Sequence, residues 1–214
     1  PVPILIKTEA IRVGVSFTPR AQQAVAKVNT CFKGYGVFSM DRERGPVTIE
    51  QRIPHIFCLS ADDAVVSTRT TPSSPYKIDA VDGHFQFCDE TGPLMGVYFP
   101  PAPSWIDQKL EDGTPLQAIA QPSGFDKVFC TLNYYCEYWK HGEECRFCDI
   151  VSFLKVKKRK EHGVLARPKP DQVVKTLNIA FREPGYRHII LTGGTVLTQV
   201  GRKDQLGLYC DYLS

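Results

Sequence analysis

Cys130, Cys136, Cys145 and Cys148 fall within nineteen residues, while Cys31, Cys58, Cys88 and Cys210 are scattered along the chain. No other feature restricts so sharply what this sequence can build. The opening stretch, Pro1 to Phe17, is interrupted by Lys7, Glu9 and Arg12 and lacks the unbroken apolar centre of an export signal. Clustered thiols without such a signal point to metal chemistry in the reducing cytoplasm and not to a disulfide scaffold. A chain of 214 residues buries roughly 70% of its unfolded surface, so it needs no covalent staples. With 23% charged and 43% hydrophobic residues it is neither a disordered nor an integral membrane sequence. No apolar run approaches the ~20 residues of a membrane span. The net charge of +3 does not by itself indicate a nucleic-acid partner.

The composition shifts near residue 125, which sets an expected boundary between residues 1–125, a β-rich module with an irregular lead-in, and residues 126–214. In the first part Ala10–Phe17 reads as a strand and Ala21–Val28 as a short helix, with Ala21, Ala24, Val25 and Val28 on one face. Further strands are expected at Val47–Ile53, Val65–Thr68, Tyr76–Ala80, His84–Cys88 and Leu94–Phe99, with Asp82-Gly83 as a hairpin turn. Pro100-Pro101-Ala102-Pro103 then interrupts regular structure. In the second part Lys127–Leu132 reads as a buried strand. Asp171–Phe181 has apolar residues at helical spacing (Val173, Leu177, Ala180, Phe181), and Pro184-Gly185 ends it. Arg187–Thr192 is a second buried strand, and Lys203–Ser214 begins another helix. Strand, loop, helix, strand, helix predicts an α/β fold with parallel strands.

Cys136, Cys145 and Cys148 form a C-x8-C-x2-C pattern. Two thiolates two residues apart share one side of a tight loop, and a third reaches them across an excursion containing Gly142. Thiolates suit zinc and iron–sulfur clusters. Three alternatives stand beside a cluster. The cysteines could be small core residues. They could form a structural zinc site, with Cys130 or His141 as fourth ligand, in a module that binds a protein or RNA. A ferredoxin-like carrier would also need a fourth thiolate, most plausibly Cys130. Cys130, on the strand, and Cys210 otherwise read as core residues. Tyr134, Tyr135, Tyr138 and Trp139 crowd the loop, either shielding a metal or packing the first turn. Lys155, Lys157, Lys158, Arg159 and Lys160 form a basic run suited to phosphate or an acidic protein surface, and equally to a solvated loop.

From about Lys127 to Ser214 the sequence resembles the radical S-adenosylmethionine (radical SAM) superfamily. A strand ending Thr131-Leu132-Asn133 runs into a three-cysteine loop closing Cys145-Arg146-Phe147-Cys148. After a helix, the next strand ends Thr192-Gly193-Gly194-Thr195. The first gap of eight, where the family commonly has three, marks a subgroup, and Thr195 stands where the family usually has an acid. The resemblance implies that Cys136, Cys145 and Cys148 ligate three irons of a [4Fe–4S] cluster. The fourth iron takes S-adenosylmethionine, near Phe147, Thr192, Gly193, Gly194 and Thr195. It implies an enzyme making a 5′-deoxyadenosyl radical, a flavodoxin or ferredoxin as electron donor, and no membrane partner. Substrate and reaction class (oxidoreductase, transferase or lyase) are unread. Only 66 residues follow Cys148, whereas six βα units need on the order of 180, so only two strands of a barrel fit. The expectation is therefore an incomplete barrel, completed by further C-terminal sequence or by a second chain.

Overall fold

The structure is a computed structural model that describes residues 3–32, 53–146, 148, 150, 165–196 and 205–213. The chain divides into two compact units, one within residues 1–102 and the other from Pro103 onward. The predicted strand Val47–Ile53 (apart from Ile53), Phe147 and the basic run 155–160 lie outside the described residues.

The first unit contains α1 (Pro3–Val13), β1 (Ser16–Phe17), α2 (Pro19–Val25), β2 (Ile56–Leu59), β3 (Val65–Ser67), β4 (Lys77–Val81), β5 (His84–Asp89) and β6 (Gly92–Tyr98). Its sheet runs β1-β4-β5-β6-β2-β3, antiparallel throughout except for the parallel β1–β4 pair. Residues 10–13 are helical and only Ser16–Phe17 are extended, so the expected strand from Ala10 is corrected. Ile6 and Ala10 lie one helical turn apart and are both buried. Arg69 Nη1 donates to the carbonyls of Ile11 and Arg12, satisfying the end of α1 from a distant segment. Gly14 then turns the chain at φ 80°, where a Cβ would lie 2.3 Å from Thr71 Oγ1. α2 overlaps the expected helix over Ala21–Val25 but starts at Pro19 and ends before Val28. Thr18 caps it by accepting from the Ala21 N–H, Pro19 fills a first-turn position, and Ala21 and Val25 are buried. The β4–β5 hairpin turns on Asp82 and Gly83, both at positive φ (50° and 79°), as a primed turn requires.

The second unit contains a 3-10 turn (Leu116–Ala118), β7 (Ala120–Ser123), β8 (Lys127–Asn133), α3 (Glu137–His141), α4 (Pro170–Ala180), β9 (His188–Gly193) and α5 (Gln205–Leu213). Its sheet runs β7-β8-β9, with β7 antiparallel and β9 parallel to β8. Trp105, Leu110, Leu116, Ile119 and Ala120 join Val128, Cys130, Leu132, Val173 and Ala180 in one core. The boundary therefore falls at the proline-rich break near 102–103 and not at 125, because the lead-in supplies β7 and half of that core. The architecture is α/β, and the parallel β8–β9 pair joined through α4 matches the expected arrangement. Ile189 and Ile190 on β9 are exposed. Among the described residues, no helix is long and apolar enough to cross a membrane.

Candidate metal centre

β8 and β9 run side by side in parallel, with Thr131 opposite Thr192 and, after an irregularity, Asn133 opposite Gly193. Both strands therefore deliver the chain to the same end of the sheet. Alternation along β8 turns Val128, Cys130 and Leu132 into the core with Val173 and Ala180 of α4. Cys130 is fully buried there, and desolvation pushes its thiol up to about 12. At neutral pH it is a small apolar core group. Cys210, expected in the core, is instead exposed on α5.

Past β8 the chain bends around Asn133. Its Oδ1 accepts from the Tyr135 N–H at 3.0 Å, and its Nδ2 donates to the Tyr135 carbonyl at 2.9 Å. This closes an Asx-type turn, a conformation that Asn favours. Cys136 comes next, at the N-cap of α3, with φ −140° and ψ 123°. The excursion between the first two cysteines is thus partly helical. It ends at Gly142, whose φ of 72° is the left-handed C-cap position. The Cys148 N–H donates to the Cys145 carbonyl at 2.9 Å, so the two-residue spacing folds as one turn. Cys136 and Cys148 are half-buried and Cys145 is exposed. His141 is exposed at the end of α3.

The end of β9 meets this loop directly. The Gly194 N–H donates to the Asn133 carbonyl at 2.8 Å, and the Thr195 carbonyl accepts from the Glu137 N–H at 2.9 Å. A Cβ on Gly194 would lie 2.0 Å from the Tyr135 carbonyl oxygen and 2.7 Å from Cys136 Cβ. The diglycine is therefore packed against the first cysteine of the loop. The space freed at Gly194 is filled by the Tyr135–Cys136 backbone, so its missing side chain serves this packing and not an open ligand cradle. Gly193 is less constrained: a Cβ there would lie 3.0 Å from the Asn133 carbonyl oxygen and 3.2 Å from the Tyr209 hydroxyl.

The donor chemistry fits a thiophilic metal centre, since three thiols lie on one loop at the carboxyl end of parallel strands. The structure brings Cys136 to the diglycine and joins Cys145 to Cys148 through a turn. Among the described residues, however, no three His, Cys, Asp or Glu side chains form a group that could hold a metal. Holding one requires the Cys145–Cys148 turn to close on Cys136. Two residues of this region escape a reading by motif. Asn133 carries the weak signal of a turn-forming residue at a strand end. Glu137, only 5% exposed and bonded through its N–H to Thr195, gives no sequence signal because acids usually sit in solvent. Set against family models, curated proteins and solved structures, the chain matches none of them.

Proposed function

We propose that residues from about Lys127 onward form the cluster-binding start of a radical SAM enzyme. The reading assigns Cys136, Cys145 and Cys148 to three irons of a [4Fe–4S] cluster. It assigns Thr192, Gly193 and Thr195 to the side facing S-adenosylmethionine. The observation that carries it is the packing of Gly194 on Cys136 where two parallel strands end side by side. A diglycine remote from the thiols would have had no such use. Held by Cys136, Cys145 and Cys148, a reduced cluster would supply the electron for cleaving the sulfonium C–S bond of S-adenosylmethionine to methionine and a 5′-deoxyadenosyl radical. The chain's own part is placement. The Cys145–Cys148 turn offers two sulfurs from one side, and Cys136 offers a third from the head of α3. Tyr138 and Trp139 are half-buried on the same helix. A low-potential donor such as a flavodoxin or ferredoxin, in the cytoplasm, completes the proposal. The substrate is left open.

The test is anaerobic reconstitution of the chain with iron and sulfide. The expected product is a brown protein with about four irons per chain. Its reduced spectrum shifts on adding S-adenosylmethionine, and both properties vanish in a Cys136→Ala/Cys145→Ala/Cys148→Ala variant. Colourless protein after reconstitution, or one tightly held zinc per chain with no response to S-adenosylmethionine, defeats the reading.

A further inference from the structure

Cys136 is held in place by restraints that come from three places in the chain. Asn133 fixes the preceding residue from both sides through its amide oxygen and nitrogen. The Thr195 carbonyl holds the next residue through the Glu137 N–H at 2.9 Å. Gly194, itself bonded to the Asn133 carbonyl at 2.8 Å, occupies the one position whose lack of a side chain lets the Tyr135 carbonyl approach. Cys145 and Cys148 are joined by a turn in which the Cys148 N–H donates to the Cys145 carbonyl, and Cys145 is exposed. We propose that Asn133, Gly194 and the Thr195 carbonyl form a clamp that fixes Cys136 as the pre-placed ligand of the centre. Gly194 is then a positioning residue for the metal loop. The proposal rests on the radical SAM reading in one respect, that Cys136 is a metal ligand. The clamp itself is a property of the backbone and can be tested without metal.

Two other candidates carry less. The cavity that Asn133 and Gly194 line together with Arg167 and Tyr212 has room for about one water molecule. The exposed Ile4, Leu5 and Ile11 on α1 have nothing in the structure to say what covers them.

The experiment alkylates the full chain with iodoacetamide in EDTA and reductant, and tracks each cysteine by peptide mass spectrometry. In the wild-type chain Cys145 reacts quickly, Cys136 more slowly and buried Cys130 scarcely at all. A Cβ 2.0 Å from a backbone oxygen forces Tyr135 and Cys136 to move. Gly194→Ala therefore raises the Cys136 rate by about fivefold or more, while Cys130 stays protected. A Cys136 rate unchanged within about twofold, with Cys130 still protected, overturns the clamp. Should Gly194→Ala expose Cys130, and so unfold the unit, Asn133→Ala replaces it with the same criterion. Asn133→Asp keeps the acceptor for the Tyr135 N–H and should fall between wild type and Asn133→Ala. In the iron arm, Gly194→Ala retains about a third or less of the wild-type iron. Wild-type chain with a slow Cys136 that takes up no iron supports the clamp but defeats the cluster reading. A variant that frees Cys136 yet loads iron with an unaltered reduced spectrum overturns the link between clamp and metal.

Discussion

The two units differ in where they place cysteine, Cys130 apart, which is a core residue of the second. In the first, Cys58 and Cys88 are buried in antiparallel strands, and burial pushes both thiols up from their ordinary value. They fill space in a sheet built largely of the β2–β3, β4–β5 and β5–β6 hairpins. In the second, a parallel pair leaves the chain free to run on past the strand ends, and Cys136, Cys145 and Cys148 occupy that overhang, half-buried or exposed. The lesson is topological. Antiparallel strands joined by tight turns spend their ends on reversal. Parallel strands need crossovers, and the loops that begin those crossovers gather at one edge, where sites accumulate in such sheets.

The sharpest way to separate the units is to damage one core. Phe87 is fully buried on β5 and stacks on Tyr76 and Phe57, with ring centroids 5.2 and 6.3 Å apart. Phe87→Ala should cost the first unit about 3–5 kcal/mol in urea unfolding, through lost burial and the cavity left behind. The triple cysteine-to-alanine variant should change stability by no more than about 1 kcal/mol, because those thiols carry little packing. The comparison breaks if the triple variant is as destabilised as Phe87→Ala, which would make the loop cysteines core residues.

A smaller effect separates Cys130 from its neighbours in the sequence. Its thiol titrates near 9 when exposed and near 12 in the folded chain, because burial disfavours the thiolate. The protonated form is the one the fold accommodates, so the stabilisation is complete below pH 9 and declines as pH rises towards 12. Over that window this thiol alone should lower the second unit's stability by about 1.4 kcal/mol per pH unit. Tyr134, whose hydroxyl is also raised chiefly by burial, adds to the decline at the upper end. Cys130→Ala should flatten the slope of stability against pH, measured by urea melts from neutral to alkaline buffer. An unchanged slope would show that Cys130 does not ionise on unfolding.

Legibility from sequence depends on the range of the deciding interaction. The Asp82-Gly83 hairpin, the middle of α2, the α4 helix and the β8 and β9 strands rest on local chemistry, and each is readable. α1 is not. Ile11, Val13 and Val15 look like a strand, and helix wins through burial of Ile6 and Ala10 and through Arg69, which is distant in sequence. β2 escapes notice because Ile56–Leu59 is a short apolar run without alternation, buried on both faces. The unit boundary is hidden because residues such as Trp105 and Leu116 show their allegiance only in three dimensions. At the candidate site the cysteine spacing and the diglycine can be read. Their packing against each other cannot, since the Gly194–Tyr135 approach joins segments far apart in the chain.

The smallest effect concerns the helix that closes the crossover. Thr176 on α4 is fully buried, and among the described residues its Oγ1 has no hydrogen-bond partner. Burying a hydroxyl without a partner costs about 1–3 kcal/mol in proteins, whereas a methyl group of the same size is favoured there. Valine has nearly the same helix propensity as threonine, so the exchange isolates the hydroxyl. Thr176→Val should therefore raise the second unit's stability by about 1 kcal/mol, seen as a higher urea midpoint with an unchanged slope. A loss of similar size would mean that the hydroxyl bonds back to a carbonyl one turn earlier in α4, as buried threonines in helices often do. The core beneath the parallel strands would then be more fully satisfied than its geometry indicates. The contrast drawn between the units would still stand, because it depends on where the strand ends lead and not on how well α4 is packed.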